Sequence, residues 1–239
     1  MILAVLVAAA LTMAAGCSSG VDDGAATDTT DTPTTTLAET TTVAPTTPTS
    51  IAGVAARVDP VTKEQLGASW HEGCPVAAED LRLLTIPYIG FDGTVHAGQM
   101  VVHADVVTDV LQVFQRLYST GFPIEKMQLV TEYDADDDKS TKANNTSGFN
   151  CRQITEGGGW SQHAYGRAVD INPVQNPYVY ADGHVLDPAA EPYLDRSNTG
   201  PGVIHDGDVV VQSFKELGWG WGGDYETRKD YQHFSTTGG

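Results

Sequence analysis

Ser161-Gln162-His163-Ala164-Tyr165-Gly166-Arg167-Ala168-Val169-Asp170 sets a histidine and an aspartate seven residues apart, with a glycine between them and a strand beginning at Arg167. From Arg167 to Asn172 the residues alternate. Ala168, Asp170 and Asn172 share one face, while Val169 and Ile171 turn toward the core. The small residues beside Asp170 leave room for a metal and a substrate. A second histidine, His233, stands near the C-terminus in Asp230-Tyr231-Gln232-His233-Phe234. Two imidazoles and one carboxylate form a three-ligand set that leaves a zinc ion with an open position. A nearby carboxylate outside that set could take a proton from metal-bound water. If these segments meet in space, the chain is a metallohydrolase.

Working outward, Pro75 to Leu84 has helical spacing, with Val76, Leu81 and Leu84 as buried positions. Thr85 to Ile89 and Thr94 to Val102 read as strands of a hairpin around Phe91-Asp92-Gly93. Val106, Val107, Val110, Leu111, Phe114, Leu117 and Tyr118 recur at three and four residues, the signature of an amphipathic helix. Asp105 suits its first turn, and Gly121 and Pro123 end it. Met127, Leu129, Thr131 and Tyr133 alternate as one face of a strand. The segment from Pro173 to about Asp206 is too long for a simple connector and is expected to frame a site. Val209, Val210, Phe214 and Leu217 give a short helix stopped by Gly218, and Trp219 to Phe234 closes the domain as a pair of strands. Helices around a small antiparallel sheet make the expected fold α+β.

The ends of the chain and its charge bound the reading further. Residues 1–16 form an apolar run ending in Ala14-Ala15-Gly16-Cys17, the pattern of a lipoprotein-type signal peptide that leaves a lipid on Cys17. An ordinary secretory signal is the alternative. The run is shorter than the roughly 20 residues of a membrane span. No Lys or Arg precedes it, which suggests a true start upstream of Met1. Residues 17–56 are rich in Thr and Pro and are expected to be a disordered tether, too poor in apolar area to offset the entropy of ordering. Residues 57–239 are ample for one domain. Export leaves Cys74 and Cys151 to form a disulfide; a thiolate metal site is the weaker reading, because neither lies in a Cys-x-x-Cys pair. The net charge of −18 excludes a general nucleic-acid binder, which needs clustered Lys and Arg. The acidic run Asp134, Asp136, Asp137 and Asp138 lacks the spacing of a calcium loop and reads as a solvated loop.

Ser161-x-His163-x-x-Gly166-x-Ala168-x-Asp170, taken with Asp230-x-x-His233, resembles the zinc D-Ala-D-Ala carboxypeptidases and L-Ala-D-Glu endopeptidases of peptidoglycan. Their fold group includes lysostaphin-like enzymes and the hedgehog signalling domain. The resemblance extends from about Trp70 to Phe234 and takes in Phe149-Asn150-Cys151-Arg152, Asn176-Pro177-Tyr178 and Gly218-Trp219-x-Trp221. It implies a hedgehog-like zinc site on the sheet, with His163, Asp170 and His233 as ligands and Asp230 as general base. It also implies that Arg152 stabilises the oxyanion or holds a substrate carboxylate. Ser161 binds substrate or shapes the turn before His163, and Tyr165 and Trp221 are expected to wall the cleft. His103 reads as a structural hydrogen-bonding group; His71, His96, His184 and His205 show no ligand spacing.

The implied activity is zinc-dependent hydrolysis of peptidoglycan stem peptides by a monomeric, exported domain that meets the membrane only through its lipid. An Asp base in Asp-x-x-His resembles the L-Ala-D-Glu endopeptidase branch, with D-Ala-D-Ala carboxypeptidase as the alternative. A zinc-containing cell-wall binding module without hydrolysis is a further alternative. Asp230 argues against it, because a pure binding domain needs no base beside the metal.

Overall fold

Leu81 to Gly90 is a mostly apolar run, interrupted only by Arg82 and Thr85, and it forms the strand about which the domain is organised. The computed structural model describes residues 50–51, 54–154 and 157–238. The expected signal peptide, Cys17 and most of the expected tether lie outside the described residues. All described residues fall in one unit, Thr46–Gly239. At the end of the expected tether, β1 (Ser50–Ile51) pairs antiparallel with β2 (Val54–Ala55), so backbone pairing begins earlier than the composition suggests.

β3 (Arg57–Pro60), β4 (Leu81–Gly90) and β5 (Val95–His103) form an antiparallel sheet, joined by β6 (Pro123–Ile124), which runs parallel to β4. Between β3 and β4 lies the short helix α1 (Lys63–Leu66), opened by a capping box between Thr62 and Gln65. The helix expected over Pro75–Leu84 is absent; a single 3-10 turn, Ala78–Asp80, precedes β4. The reason is two-sided burial. Leu81 and Leu83 enter one apolar cluster with Leu66, Val101 and Phe149, whereas Leu84, Ile86 and Tyr88 enter the other. A run buried on both faces carries no period of two and is easily mistaken for a helix.

α2 (Val107–Thr120) packs Val110, Val113, Phe114 and Leu117 into the larger cluster. It ends at Gly121 (φ 73°), whose N–H caps the Leu117 and Tyr118 carbonyls. No strand forms over Met127–Tyr133; Val130–Tyr133 is a 3-10 turn that leads into the left-handed residues Asp134 and Ala135. The backbone there is held from the side, since the Asn145 side chain binds both the N–H and the C=O of Gln128. α3 (Asp137–Lys142) follows, N-capped by Asp136.

The second sheet carries Asp170 and His233. β7 (Ala168–Asp170) and β9 (Gly220–Trp221) flank β11 (His233–Ser235), all antiparallel. A third, two-stranded sheet pairs β8 (Tyr178–Val179) with β10 (Lys229–Asp230). With the β1–β2 pair, the expected single sheet is thus four small ones among the described residues, in a mixed α+β fold. α4 (Val209–Lys215), capped by Asp208 on the N–H groups of Val210 and Val211, buries Phe214 against Phe234 with ring centroids 4.2 Å apart.

Cys74 and Cys151 are joined by a disulfide across 77 residues. His71 lies beside both sulfurs, which as bridge atoms offer no thiolate to a metal. Replacing both cysteines by Ala should lower the unfolding free energy by about 2–5 kcal/mol, read by urea denaturation. An unchanged midpoint would show that the bridge adds nothing to the fold.

Candidate metal centre

The register of β7 against β11 sets Asp170 directly opposite His233 and Val169 opposite Phe234. Opposite residues in an antiparallel pair point to the same side. One face of this sheet therefore carries Asp170 and His233, and the other puts Val169 and Phe234 into the core. His163 arrives from a 3-10 turn, Gln162–Tyr165, just before β7. Ser161 caps that turn, its hydroxyl accepting from the His163 N–H at 3.3 Å. Gly166 ends it with φ 65°, where a Cβ would press on the backbone N of His103; only glycine fits this reversal into the strand.

His163, Asp170 and His233 are all buried and offer three atoms that converge. His163 Nε2 lies 3.2 Å from His233 Nδ1 and 3.1 Å from Asp170 Oδ2, and His233 Nδ1 lies 2.9 Å from Asp170 Oδ1. Donor atoms bound tetrahedrally at zinc distances stand about 3.3 Å apart, close to these separations. The donor chemistry also fits. His163 Nδ1–H donates to the Gly148 carbonyl at 2.6 Å, which fixes the tautomer and leaves the Nε2 lone pair facing the centre. Gly148 is itself hemmed in, for a Cβ there would collide with the Val101 carbonyl.

Asp230 sits apart from this set. It ends β10, and the turn Tyr231–Gln232 carries the chain from one sheet into the next before His233. The change of sheet lets residues three apart reach one site, which a regular strand forbids. Its Oδ1 is buried without a hydrogen-bond partner, a group that a proton-bearing ligand would satisfy. Desolvation, aided by the charge of Asp170 and opposed by His233, pushes its pKa up to about 6. Asp170 moves the other way: burial raises it, but His163 and His233 hold it well below the usual carboxylate range. Burial likewise works against charge on His163, yet Asp170 keeps that imidazole above its ordinary value. Two neighbouring carboxylates pushed apart in this way suit separate tasks, one as a charged ligand and one as a base.

Both groups open onto a cleft of about 300 Å3. Its lining includes Arg152 and Ser161, while much of the far wall comes from the long segment after β7: Tyr178, Tyr180, Val185 and Leu186. That segment is held from beneath. Asn176 bonds the carbonyls of Ile171, Asn172 and Gly202, and Arg196 bonds those of Gln175, Tyr193 and Ile204. Arg196 also lies over the Tyr231 ring at 4.2 Å, next to the base.

Two expected wall residues do not line this cleft. Trp221 is paired with Phe234 in the register of β9 and β11, and so lies in the core, its indole N–H bound to the Tyr231 carbonyl. Tyr165, in the turn after His163, is likewise absent from the lining. His103 bonds the Asp105 N–H as a local cap, and the remaining histidines stand outside the triad. Sequence reading missed Asp137, whose carboxylate pairs with Arg152 Nε at 2.8 Å; the acidic run hid it as one charge among four. It also missed Tyr225, Arg228 and Gln232, which line the cleft near Asp230. Their only signal was closeness in sequence to the Asp-x-x-His pair.

Gly222 packs flat against the Asp230 backbone, where any Cβ would meet the Asp230 carbonyl and Cβ. Gly222→Ala should displace Asp230 and, if Asp230 serves as the base, reduce kcat by about tenfold or more, with metal content preserved. Wild-type kcat in this variant would show that the contact does not position Asp230.

A protein family described as D-alanyl-D-alanine carboxypeptidase matches residues 155–236. That span contains His163, Asp170, Asp230 and His233, but neither Cys151 nor Arg152. No curated protein and no solved structure matches the chain. A buried His/Asp/His triad within the matched span is consistent with zinc metallopeptidase activity.

Proposed function

We propose that this chain is a zinc-dependent D-Ala-D-Ala carboxypeptidase acting on peptidoglycan stem peptides. The observation that carries the reading is the convergence of His163, Asp170 and His233 beside Asp230, whose buried Oδ1 has no hydrogen-bond partner, in one cleft, within the segment similar to that family. His163, Asp170 and His233 would hold a zinc ion, which would supply Lewis acidity and make water nucleophilic near neutral pH. Asp230 accepts the proton of the attacking water and returns it to the departing amine as the C–N bond breaks. Arg152 lies in the same cleft and acts electrostatically on His163, which suits a role at the developing oxyanion. Gly148 holds the His163 tautomer, and Ser161 holds the turn that presents it.

An Asp as base in Asp-x-x-His, where the carboxypeptidases more often carry Glu, leans toward an L-Ala-D-Glu endopeptidase. One methylene moves the base without defining the scissile bond, so the family similarity favours the carboxypeptidase. Export, with a lipid on Cys17 and residues 17–56 as a tether, would bring the domain to its substrate. The test is incubation of the purified protein with muropeptides bearing pentapeptide stems, with products identified by mass spectrometry. Loss of one terminal alanine supports the proposal. Release of peptides beginning with D-Glu would replace it by the endopeptidase, and intact substrate beside bound zinc would leave only a binding module.

A further inference from the structure

A single-residue leaving group imposes a strict distance. The terminal carboxylate of a D-Ala-D-Ala substrate stands only two bonds from the scissile nitrogen. Whatever binds that carboxylate must therefore lie close to the group that protonates the nitrogen, Asp230. Three cationic side chains line the cleft: Arg152, Lys142 and Arg228.

Arg152 is already engaged. Its Nε pairs with Asp137 at 2.8 Å, and its electrostatic influence falls on His163, on the ligand side of the site. Lys142 rides on α3, the helix that carries Asp137, and so belongs to the same wall. Arg228 differs on both counts. Among the described residues no carboxylate pairs with it, and it stands two residues from Asp230. Its guanidinium lies over the Tyr225 ring, 5.1 Å from the centroid. Tyr225 in turn lies in the fields of Asp230 and Asp170 as well as that of Arg228. An exposed guanidinium with no carboxylate partner, its stacking ring and Asp230 thus line the same cleft. A cation stacked on a ring loses little freedom on binding, and its planar fork matches a carboxylate.

We propose that Arg228, braced on Tyr225, binds the terminal carboxylate of the substrate and so selects a free C-terminus, leaving Arg152 to act at the scissile carbonyl. This rests on the carboxypeptidase reading above. It divides between two arginines the pair of roles that the sequence alone leaves open for Arg152.

The experiment compares hydrolysis of a stem pentapeptide with that of the same peptide carrying a C-terminal amide. Wild-type protein should prefer the free acid by about thirtyfold in kcat/KM, the scale of a charge-assisted bidentate pair. Arg228→Gln should raise KM for the free acid by about that factor, with kcat within about twofold and the amide almost unaffected, so that the preference disappears. Arg228→Lys should recover part of it, and Lys142→Gln should keep all of it. Equal losses on both peptides, no loss on either, or a selective loss in Arg152→Gln instead would overturn the assignment. A wild type that removes terminal alanine while ignoring Arg228 sinks this proposal alone. A wild type that cuts elsewhere in the stem removes it together with the carboxypeptidase reading.

Discussion

Asp230→Asn should lower kcat by about a thousandfold while the protein still binds one metal ion per chain. The change is nearly isosteric, so the turn Tyr231–Gln232 and the packing of Gly222 are preserved, and the triad is untouched. What is lost is the capacity to accept a proton, worth roughly two to four orders of magnitude in general-base chemistry. The raised pKa of Asp230 adds a second reading. A carboxylate acts as a base only above its pKa, so wild-type turnover should fall on the acid side, through the region near pH 6. Single-turnover assays with metal content measured on the same sample check both points. Turnover retained in the variant would remove Asp230 as the base and require another proton acceptor in the cleft.

His163→Ala is expected to reduce bound zinc from one per chain to about a tenth of that or less, at the metal concentration that saturates wild type. Three protein ligands are few for a tightly held ion, and this one carries its own bracing from the Gly148 carbonyl at 2.6 Å. The variant also leaves Asp170 with a single imidazole partner where two had held its charge. A buried carboxylate with less compensation is costly, so the melting temperature should fall as well. Far-UV circular dichroism separates loss of ligation from loss of fold. A folded variant with full zinc stoichiometry would refute the ligand set.

The site was more legible than the scaffold. Asp170 and His233 could be found because metal chemistry restricts residue type, and because Ala168 and Val169 mark which face of the strand is which. The first strand pair was legible from Phe91-Asp92-Gly93, since turn chemistry is local. Leu81 to Gly90 was misread as partly helical because burial on both faces erases the alternation that identifies a strand. Met127 to Tyr133 failed for the opposite reason. Its alternation was present, but the Asn145 side chain takes the backbone bonds that a neighbouring strand would need. Trp221 was placed in the cleft from its aromatic character, and its true position depends on register with Phe234, which no local pattern reveals. The ion pair between Asp137 and Arg152 joins α3 to the segment after Phe149; only the folded chain brings them together.

One consequence follows from the base and the ligands belonging to different sheets. Asp170 and His233 are bolted to each other across β7 and β11, whereas Asp230 is paired with Tyr178 of β8, part of the wall that faces the substrate. The candidate metal cage and the candidate proton carrier thus stand on different sheets, joined by the turn Tyr231–Gln232, which is itself tied to the ligand side by the Ile171 N–H on the Gln232 carbonyl and the Trp221 indole N–H on the Tyr231 carbonyl. A change in the wall at Tyr178 reaches Asp230 directly through the β8–β10 pairing, and reaches the ligands only through that turn. Affinity for the ion and readiness for chemistry can then drift independently as the long segment after β7 changes, without altering a single ligand.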